Sequence, residues 1–101
     1  MRKRIEHLKD DCLHRIDGPA VTAYYDNGNV RMNLYYVEGK RHRDNGPALE
    51  YFYDNGNMSR CSWYNMGILH RVDGPAAQLF DRDGNETLGV WWVDGKKVEE
   101  K

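Results

Sequence analysis

The chain has 101 residues, 31% of them charged, and a formal net charge of −1. This balance is typical of one soluble domain and argues against a dedicated nucleic-acid binder, which usually carries a basic excess. No apolar run follows the basic start Met1–Arg4, and no stretch is long enough to cross a bilayer, so we expect neither a secretory signal nor a membrane span.

One sequence motif occurs three times, beginning at His14, His42 and His70. The number of residues from His14 to His42 equals the number from His42 to His70, and we call this number the repeat interval. Self-similarity at a fixed period of this size indicates a repeat architecture in which each unit is one supersecondary element. We predict a single domain over residues 1–101, with units at about 14–41, 42–69 and 70–97 and a capping half-unit at 1–13. Cys12 and Cys61 occupy different phases of the repeat, and we interpret them as free thiols in a reducing cytoplasm.

Each unit contains two β-rich runs joined by a glycine turn. In the first unit the runs are 20–25 and 30–37, and Asn27-Gly28 lies between them. This is a strong hairpin signal, because Asn and Gly tolerate the positive φ of a tight turn. The later units have runs 49–53, 58–64, 77–80 and 87–93, with turn glycines Gly56 and Gly84.

A further glycine turn follows each second run, and residues 96–101 are predicted to form a charged tail. The predicted fold is therefore all-β: an elongated antiparallel meander of β-hairpin repeats with about six or seven strands.

The Gly-Pro pair of each motif is interpreted as a structural corner. Proline lacks an N–H group and so suits the start of a strand, and glycine adopts conformations that other residues cannot. The pairs are Gly18-Pro19, Gly46-Pro47 and Gly74-Pro75. We expect the side-chain oxygens of Asp17, Asn45 and Asp73 to bond nearby N–H groups at these corners.

The motif histidines are also interpreted as structural. Counterparts in neighbouring hairpins lie two strands apart, roughly 9.5 Å, whereas zinc ligands bond at about 2.0–2.1 Å, so His14, His42 and His70 cannot share one ion. We expect them to bond Asp17, Asn45 and Asp73 within each corner. An active site is one place with distinct roles, and this constellation occurs three times without a unique nucleophile beside it. We therefore predict no enzyme activity, no metal and no cofactor.

The segments 24–29, 52–57 and 63–67 contain an aromatic-aromatic-x-x-Gly core and resemble MORN-type repeats of a variant class. The His-Arg-x-Asp-Gly-Pro-Ala insert resembles a subtype found in phage, large-virus and bacterial accessory proteins. The resemblance covers residues 12–97 and implies a sheet of β-hairpin repeats, with antitoxin-like proteins and scaffolding modules among the relatives.

Positions that break the repeat are the best guide to a specific site. Met66 and Ile68 stand where the other units carry charged residues, so the tip 66–68 beside Trp63 is the preferred interface. The predicted partner-binding residues are Trp63, Met66, Ile68, Tyr35, Trp91 and Arg60. Breaks in the third unit, such as Asp81, are attributed to its terminal position.

Three functions remain open on the sequence. The first is a cytoplasmic, non-catalytic protein-binding module, an inhibitor or antitoxin-like protein of phage or bacterial anti-defence type that occludes a partner protein. The second is a self-assembling structural protein, with a homodimer formed through a sheet edge. The third, a nucleic-acid or lipid surface binder, is disfavoured by the charge balance.

Overall fold

In a computed structural model, which describes residues 3–98, the chain is all-β, and this part of it contains no helix. One antiparallel sheet is formed by β1 (Arg4–Glu6), β4 (Val21–Tyr24), β5 (Val30–Leu34), β8 (Leu49–Phe52), β9 (Met58–Ser62), β12 (Ala77–Phe80), β13 (Glu86–Val93) and β14 (Lys96–Val98). Three small hairpins are formed by β2 (Leu8–Lys9) with β3 (Cys12–Leu13), β6 (Tyr36–Val37) with β7 (Lys40–Arg41), and β10 (Tyr64–Asn65) with β11 (Ile68–Leu69). The predicted all-β antiparallel class is confirmed.

The strands of the main sheet lie in the order β1-β4-β5-β8-β9-β12-β13-β14, so each large hairpin lies beside the next one along the chain. In the first hairpin Val21 pairs with Leu34 and Ala23 with Met32. Because side chains alternate across a strand, this register puts the apolar residues of both strands on one face.

In the turn of each large hairpin the glycine has a positive φ, whereas the residue before it does not. Gly28 has a φ of 91°, whereas Asn27 is not left-handed. The Tyr25 N–H donates to Asn29 O at 2.8 Å, and the Gly28 N–H donates to Tyr25 O at 3.0 Å. The expectation that Asn and Gly both adopt positive φ is wrong, because the loop is longer than two residues and is followed by a bulge in β5, opposite Ala23 and Tyr24 of β4.

Each of the first two predicted second strands is split into two. The run 30–37 ends its pairing in the sheet at Leu34, and Tyr36–Val37 pairs back with Lys40–Arg41. The turn Glu38-Gly39 has φ values of 50° and 79°, as a two-residue type I′ turn requires. The first two predicted units, 14–41 and 42–69, therefore contain two hairpins each instead of one, and the main sheet has eight strands instead of six or seven.

The ends of the chain also differ from the prediction. The expected charged tail is wrong for Lys96–Val98, which pair with β13 as β14; residues 99–101 lie outside the described residues. In the predicted half-unit 1–13, β1 pairs with β4, and β2 and β3 form a small hairpin. Its residues 1 and 2 lie outside the described residues.

The core lies on one face of the sheet, which we call the apolar face. Its buried cluster consists of Val21, Ala23, Met32, Leu34 and Leu49, and the partly buried residues packed against it are Leu13, Tyr36, Tyr51 and Tyr64. Three of these four covering residues belong to small hairpins, which therefore fold over the apolar face.

The opposite face, which we call the polar face, carries a row of hydrogen bonds. Thr22 Oγ1 donates to Asn33 Oδ1 at 3.0 Å, and Asn33 Nδ2 donates to Glu50 Oε1 at 3.4 Å. The molecule measures 45 × 36 × 16 Å and is a thin plate of similar length and width, so the expected elongated shape is not found.

Candidate functional site

The three motif histidines hold the turns of the small hairpins. His42 Nδ1 accepts a hydrogen bond from the Met66 amide at 3.0 Å. The corresponding bonds join His14 Nδ1 to the Glu38 amide at 2.9 Å and His70 Nδ1 to the Asp94 amide at 3.0 Å. All three amides belong to non-glycine residues at positive φ, a conformation that L-residues rarely adopt.

The predicted partners Asp17, Asn45 and Asp73 are wrong, because each histidine Nδ1 accepts from an amide 24 residues further along the chain. His42 does bond within its own corner, where its Nε2 lies 2.8 Å from Asp44 Oδ1. The histidines nevertheless have a structural place, which is to fix the conformation of a turn. Within residues 3–98 no group of three or more His, Cys, Asp or Glu side chains is placed to hold a metal ion.

Each motif arginine lies between the glycine of its own motif and a ring from the preceding strand region. Arg43 Cζ lies 4.0 Å from the centroid of the Tyr35 ring, and a Cβ added to Gly46 would be 2.8 Å from the same atom. Arg71 lies 4.0 Å from the Trp63 centroid beside Gly74, and Arg15 Nη1 lies 3.1 Å from His7 Nε2 beside Gly18.

This arrangement corrects the interpretation of the motif glycines. Gly18, Gly46 and Gly74 do not have positive φ, so no special backbone conformation requires them. Any side chain at these positions would displace the guanidinium group from its ring. The glycine is needed for space.

The guanidinium groups also bind the corner that follows them. Arg43 Nη1 donates to Pro47 O at 3.2 Å and to Glu50 Oε2 at 3.3 Å. Arg15 Nε donates to Asp17 Oδ1 at 3.0 Å, and this hydrogen bond lowers the pKa of that carboxyl group. Clefts of about 360 and 370 Å³ lie between successive motif loops, but the arginines that line them are already engaged.

At the other end of the strands, tyrosines connect each large hairpin to the next. Tyr25 Oη donates to Phe52 O at 2.6 Å, and Tyr53 Oη donates to Phe80 O at 2.6 Å. Asp81 stands at the corresponding position of the last hairpin and instead accepts hydrogen bonds from two amides of its own turn, both at 3.0 Å. This break in the repeat is explained because no further large hairpin follows that of Asp81 in the described chain.

The structure does not bring the six predicted partner-binding residues together. Tyr35 and Trp63 lie under motif arginines, at 4.0 Å each. Arg60 lines a groove on the apolar face, and its guanidinium lies 5.6 Å from the Tyr51 ring centroid. Trp91 is partly buried in β13, the strand at the C-terminal side of the large hairpins.

Met66 lies in the turn of the β10–β11 hairpin and Ile68 directly follows it, and they are exposed at 38% and 50%. The Met66 amide is held by His42, and Ile68 Cγ2 lies 3.0 Å from the point where a Cβ of Gly95 would be. Ile68 therefore also packs against the following hairpin, so its apolar character has a structural reason as well.

Sequence reasoning missed an apolar groove at the C-terminal end of the apolar face. Leu79 and Leu88 are 41% and 51% exposed there. The groove has a volume of about 290 Å³, and its other lining residues are Arg60, Ser62, Tyr64, Leu69, Ala77, Gln78, Val90 and Trp92. We call it the C-terminal groove.

The groove exists because small residues replace large ones. Ser62 stands one repeat interval after the buried Leu34, and Ala77 stands one repeat interval after the buried Leu49. The same comparison of positions within the sequence would have located the groove beforehand.

The groove adjoins an open sheet edge. The strand β13 pairs with β12 on one side, while β14 covers only Trp91–Val93 on the other. Residues 86–89 of β13 are all exposed. We call the segment Glu86–Val90 the open edge.

The two cysteines are free thiols, as the sequence predicts. Cys61 is buried in β9, and burial raises the pKa of its thiol to about 11. A thiol with a raised pKa is a poor nucleophile near neutral pH. Cys61 pairs with Glu50 and Gln78 and therefore lies on the polar face, not in a groove of the apolar face.

None of the secondary structure between residues 3 and 98 is a helix of the length and apolarity needed to span a membrane. No protein-family model matches the chain, and it has no match among the curated proteins or the solved structures.

Proposed function

We propose that this chain is a non-catalytic protein-binding module and that its binding surface is the C-terminal groove with the open edge. The observation that carries the proposal is the exposure of Leu79 and Leu88, at 41% and 51%, on the face whose apolar residues in β4, β5 and β8 form the buried core. Contiguous apolar surface beside polar residues is typical of protein interaction sites.

We further propose that the chain is a MORN-type repeat protein with units at about 14–41, 42–69 and 70–97. The histidine, arginine and tyrosine contacts, which recur once per repeat interval, support it. Together with the resemblance, they favour an inhibitor or antitoxin-like protein that occludes its partner. The motif arginines, which a nucleic-acid surface would need free, are held within the fold.

The experiment is affinity capture from a bacterial lysate with the tagged full chain and three single variants. Leu88→Lys should reduce the captured partner by about tenfold or more, since a charge in an apolar contact is strongly unfavourable. The matched control is Val72→Lys, because Val72 is a large apolar residue, 72% exposed, outside the groove. Thermal melts of each variant establish that the fold is kept.

The third variant, Met66→Asp, tests the competing hairpin tip. Loss of the partner with Met66→Asp but not with Leu88→Lys would place the interface at residues 66–68 and overturn the groove assignment. Equal capture by all variants would overturn both. If a stoichiometric partner is identified, inhibition of its own activity by the purified chain tests the inhibitor function.

A self-assembling role is the second candidate, and the open edge favours it, because unpaired strand edges template association. Light scattering on the purified chain tests it. A concentration-dependent dimer or polymer that binds no partner would support self-assembly.

A further inference from the structure

The open edge of β13 corresponds to two edges inside the sheet that are already paired. Strands β5 and β9 are one repeat interval apart, and each pairs with the strand that follows it in the sheet. In β5, Met32 pairs with Tyr51 and Leu34 with Leu49. In β9, Arg60 pairs with Leu79 and Ser62 with Ala77. In β13, Leu88 and Val90 occupy the positions that correspond to Arg60 and Ser62 of β9, one repeat interval later. These two residues therefore mark where another antiparallel strand fits.

The backbone N–H and C=O groups at the open edge are oriented to bond another strand. Tyr35 N–H donates to Ala48 O and Trp63 N–H donates to Ala76 O, both at 2.7 Å. Since hydrogen-bonded positions alternate along an antiparallel ladder, Asn33 and Cys61 also turn their N–H and C=O groups toward the following strand. Gly89 is the corresponding residue of β13.

The side chains define what such a strand must carry. Leu88 and Val90 pair with Leu79 and Ala77 of β12, so they lie on the apolar face beside the C-terminal groove. Leu49 and Tyr51 are the residues opposite the corresponding positions of β5. Large apolar side chains at two alternate positions would therefore cover Leu88 and extend over the groove.

We infer that the open edge binds an extended segment of the partner protein as an added antiparallel strand, with large apolar side chains at alternate positions opposite Val90 and Leu88. The inference rests on the proposed function and specifies the binding mode of the same surface. Main-chain hydrogen bonds supply affinity in such complexes, and the alternate side chains supply specificity.

The other edge of the sheet is protected against the same event. Strand β1 carries Arg4 and Glu6 at the positions that correspond to Leu88 and Val90, and they form an ion pair of 2.8 Å. Charged residues on an edge strand disfavour the addition of another strand.

A second folded copy of this chain fits the requirement less well than a free segment does. Its strands β4, β8 and β12 are each already paired on both sides within the sheet, so only its own open edge is left to pair. That edge carries Leu88 and Val90 and has no aromatic residue such as Tyr51 to extend over the groove. The occupant we assign is therefore a segment of another protein that is free to become extended.

The test uses the full chain and a synthetic peptide of residues 47–52, Pro-Ala-Leu-Glu-Tyr-Phe, blocked at both ends and labelled with a fluorophore. Fluorescence anisotropy measures binding, and amide hydrogen exchange locates it. We expect slower exchange at Gly89 in the presence of the peptide. The control peptide has Leu49→Asp and Tyr51→Asp and should bind about tenfold more weakly or worse.

The matched protein variant is Leu88→Arg/Val90→Glu, which gives the open edge the charges of β1. Leu88 is exposed and Val90 is partly buried, so a circular dichroism melt is needed to establish that the variant folds. We expect about tenfold weaker peptide binding or worse. If that variant is unfolded, Leu88→Arg alone serves in its place.

Equal binding by parent and variant, binding without protection of Gly89, or no binding at millimolar peptide would overturn strand addition. A chain whose Gly89 amide is already protected in a dimer would overturn it in favour of a second copy. Failure here leaves the protein-binding proposal standing if lysate capture still depends on Leu88, whereas capture independent of Leu88 removes that proposal even if the peptide binds.

Discussion

Replacing Gly74 by alanine tests whether the motif glycine is required for space. A Cβ at this position would lie 2.7 Å from Arg71 Cζ, well inside van der Waals contact. The guanidinium is the flexible end of a long side chain, so it would move away and leave the backbone unchanged. The cost of the substitution is therefore the loss of the contacts that Arg71 makes in its native position.

Those contacts set the magnitude. The guanidinium lies 4.0 Å from the Trp63 centroid, a cation–π contact that is half-buried and contributes about 1 kcal/mol. Its hydrogen bond to Pro75 O, at 3.1 Å, has a charged donor and contributes about 1.5–3 kcal/mol. The ion pair with the exposed Asp73 adds less than about 1 kcal/mol.

Alanine in place of glycine also restricts the unfolded chain, which returns about 0.4–1 kcal/mol. We therefore expect Gly74→Ala to lower the free energy of unfolding by about 2–3 kcal/mol, seen as a melting temperature lower by roughly 10 °C or more. Gly18→Ala should cost less, since the Cβ would lie 3.0 Å from Arg15 Cζ and that arginine faces His7 instead of an indole.

The assay is a double-mutant cycle measured by urea unfolding. In the Arg71→Ala background the Gly74→Ala change should be neutral or slightly stabilising, because the arginine is gone and Gly74 does not have positive φ. If Gly74→Ala costs as much without Arg71 as with it, the glycine is required by the backbone, and the reasoning from space is refuted.

Single contacts give three further predictions. Tyr53→Phe removes the bond to Phe80 O at 2.6 Å and should lower the free energy of unfolding by about 1 kcal/mol; an unchanged urea midpoint would contradict it. His42→Ala removes the acceptor of the exposed Met66 amide and should cost about 0.5–1.5 kcal/mol, with no change in metal content by elemental analysis. The Cys61 thiol, whose pKa burial raises to about 11 from an ordinary value of about 9, should resist thiol reagents in the folded state at pH 8. Because its folded pKa exceeds its unfolded pKa, the stability it contributes should be complete below about pH 9 and should fall as the pH rises toward 11; rapid labelling at pH 8 or constant stability across that range would contradict this.

The large hairpins could be predicted because their signals are local. The β-rich runs and the glycines Gly28, Gly56 and Gly84 lie within one hairpin each, and those glycines have φ values of 91°, 93° and 92°. A chain of consecutive hairpins then forms an antiparallel sheet with few alternatives. That the motif histidines have a structural role could be predicted for a different reason. A residue that recurs once per unit is first a candidate for building the unit.

The features that could not be predicted depend on residues far apart in the chain. The type I′ turn at Met66-Gly67 has a non-glycine residue at φ 46°, and its stabilising acceptor, His42, lies 24 residues earlier. The partner of Gly46 is the guanidinium of Arg43, whose position is set by the Tyr35 ring. Spacing along the sequence does not reveal either contact.

The hydrogen bonds that join one hairpin to the next have a consequence for the order in which the chain folds. Several of them join residues 24 to 27 positions apart, as between His14 and Glu38 or between Tyr25 and Phe52. Closing loops of this length costs little more entropy than closing shorter ones. Each hairpin can therefore add to a neighbour that is already formed, and unfolding should begin at β1 and β14, which have a neighbour on one side only. The last strands to open should be β5, β8 and β9.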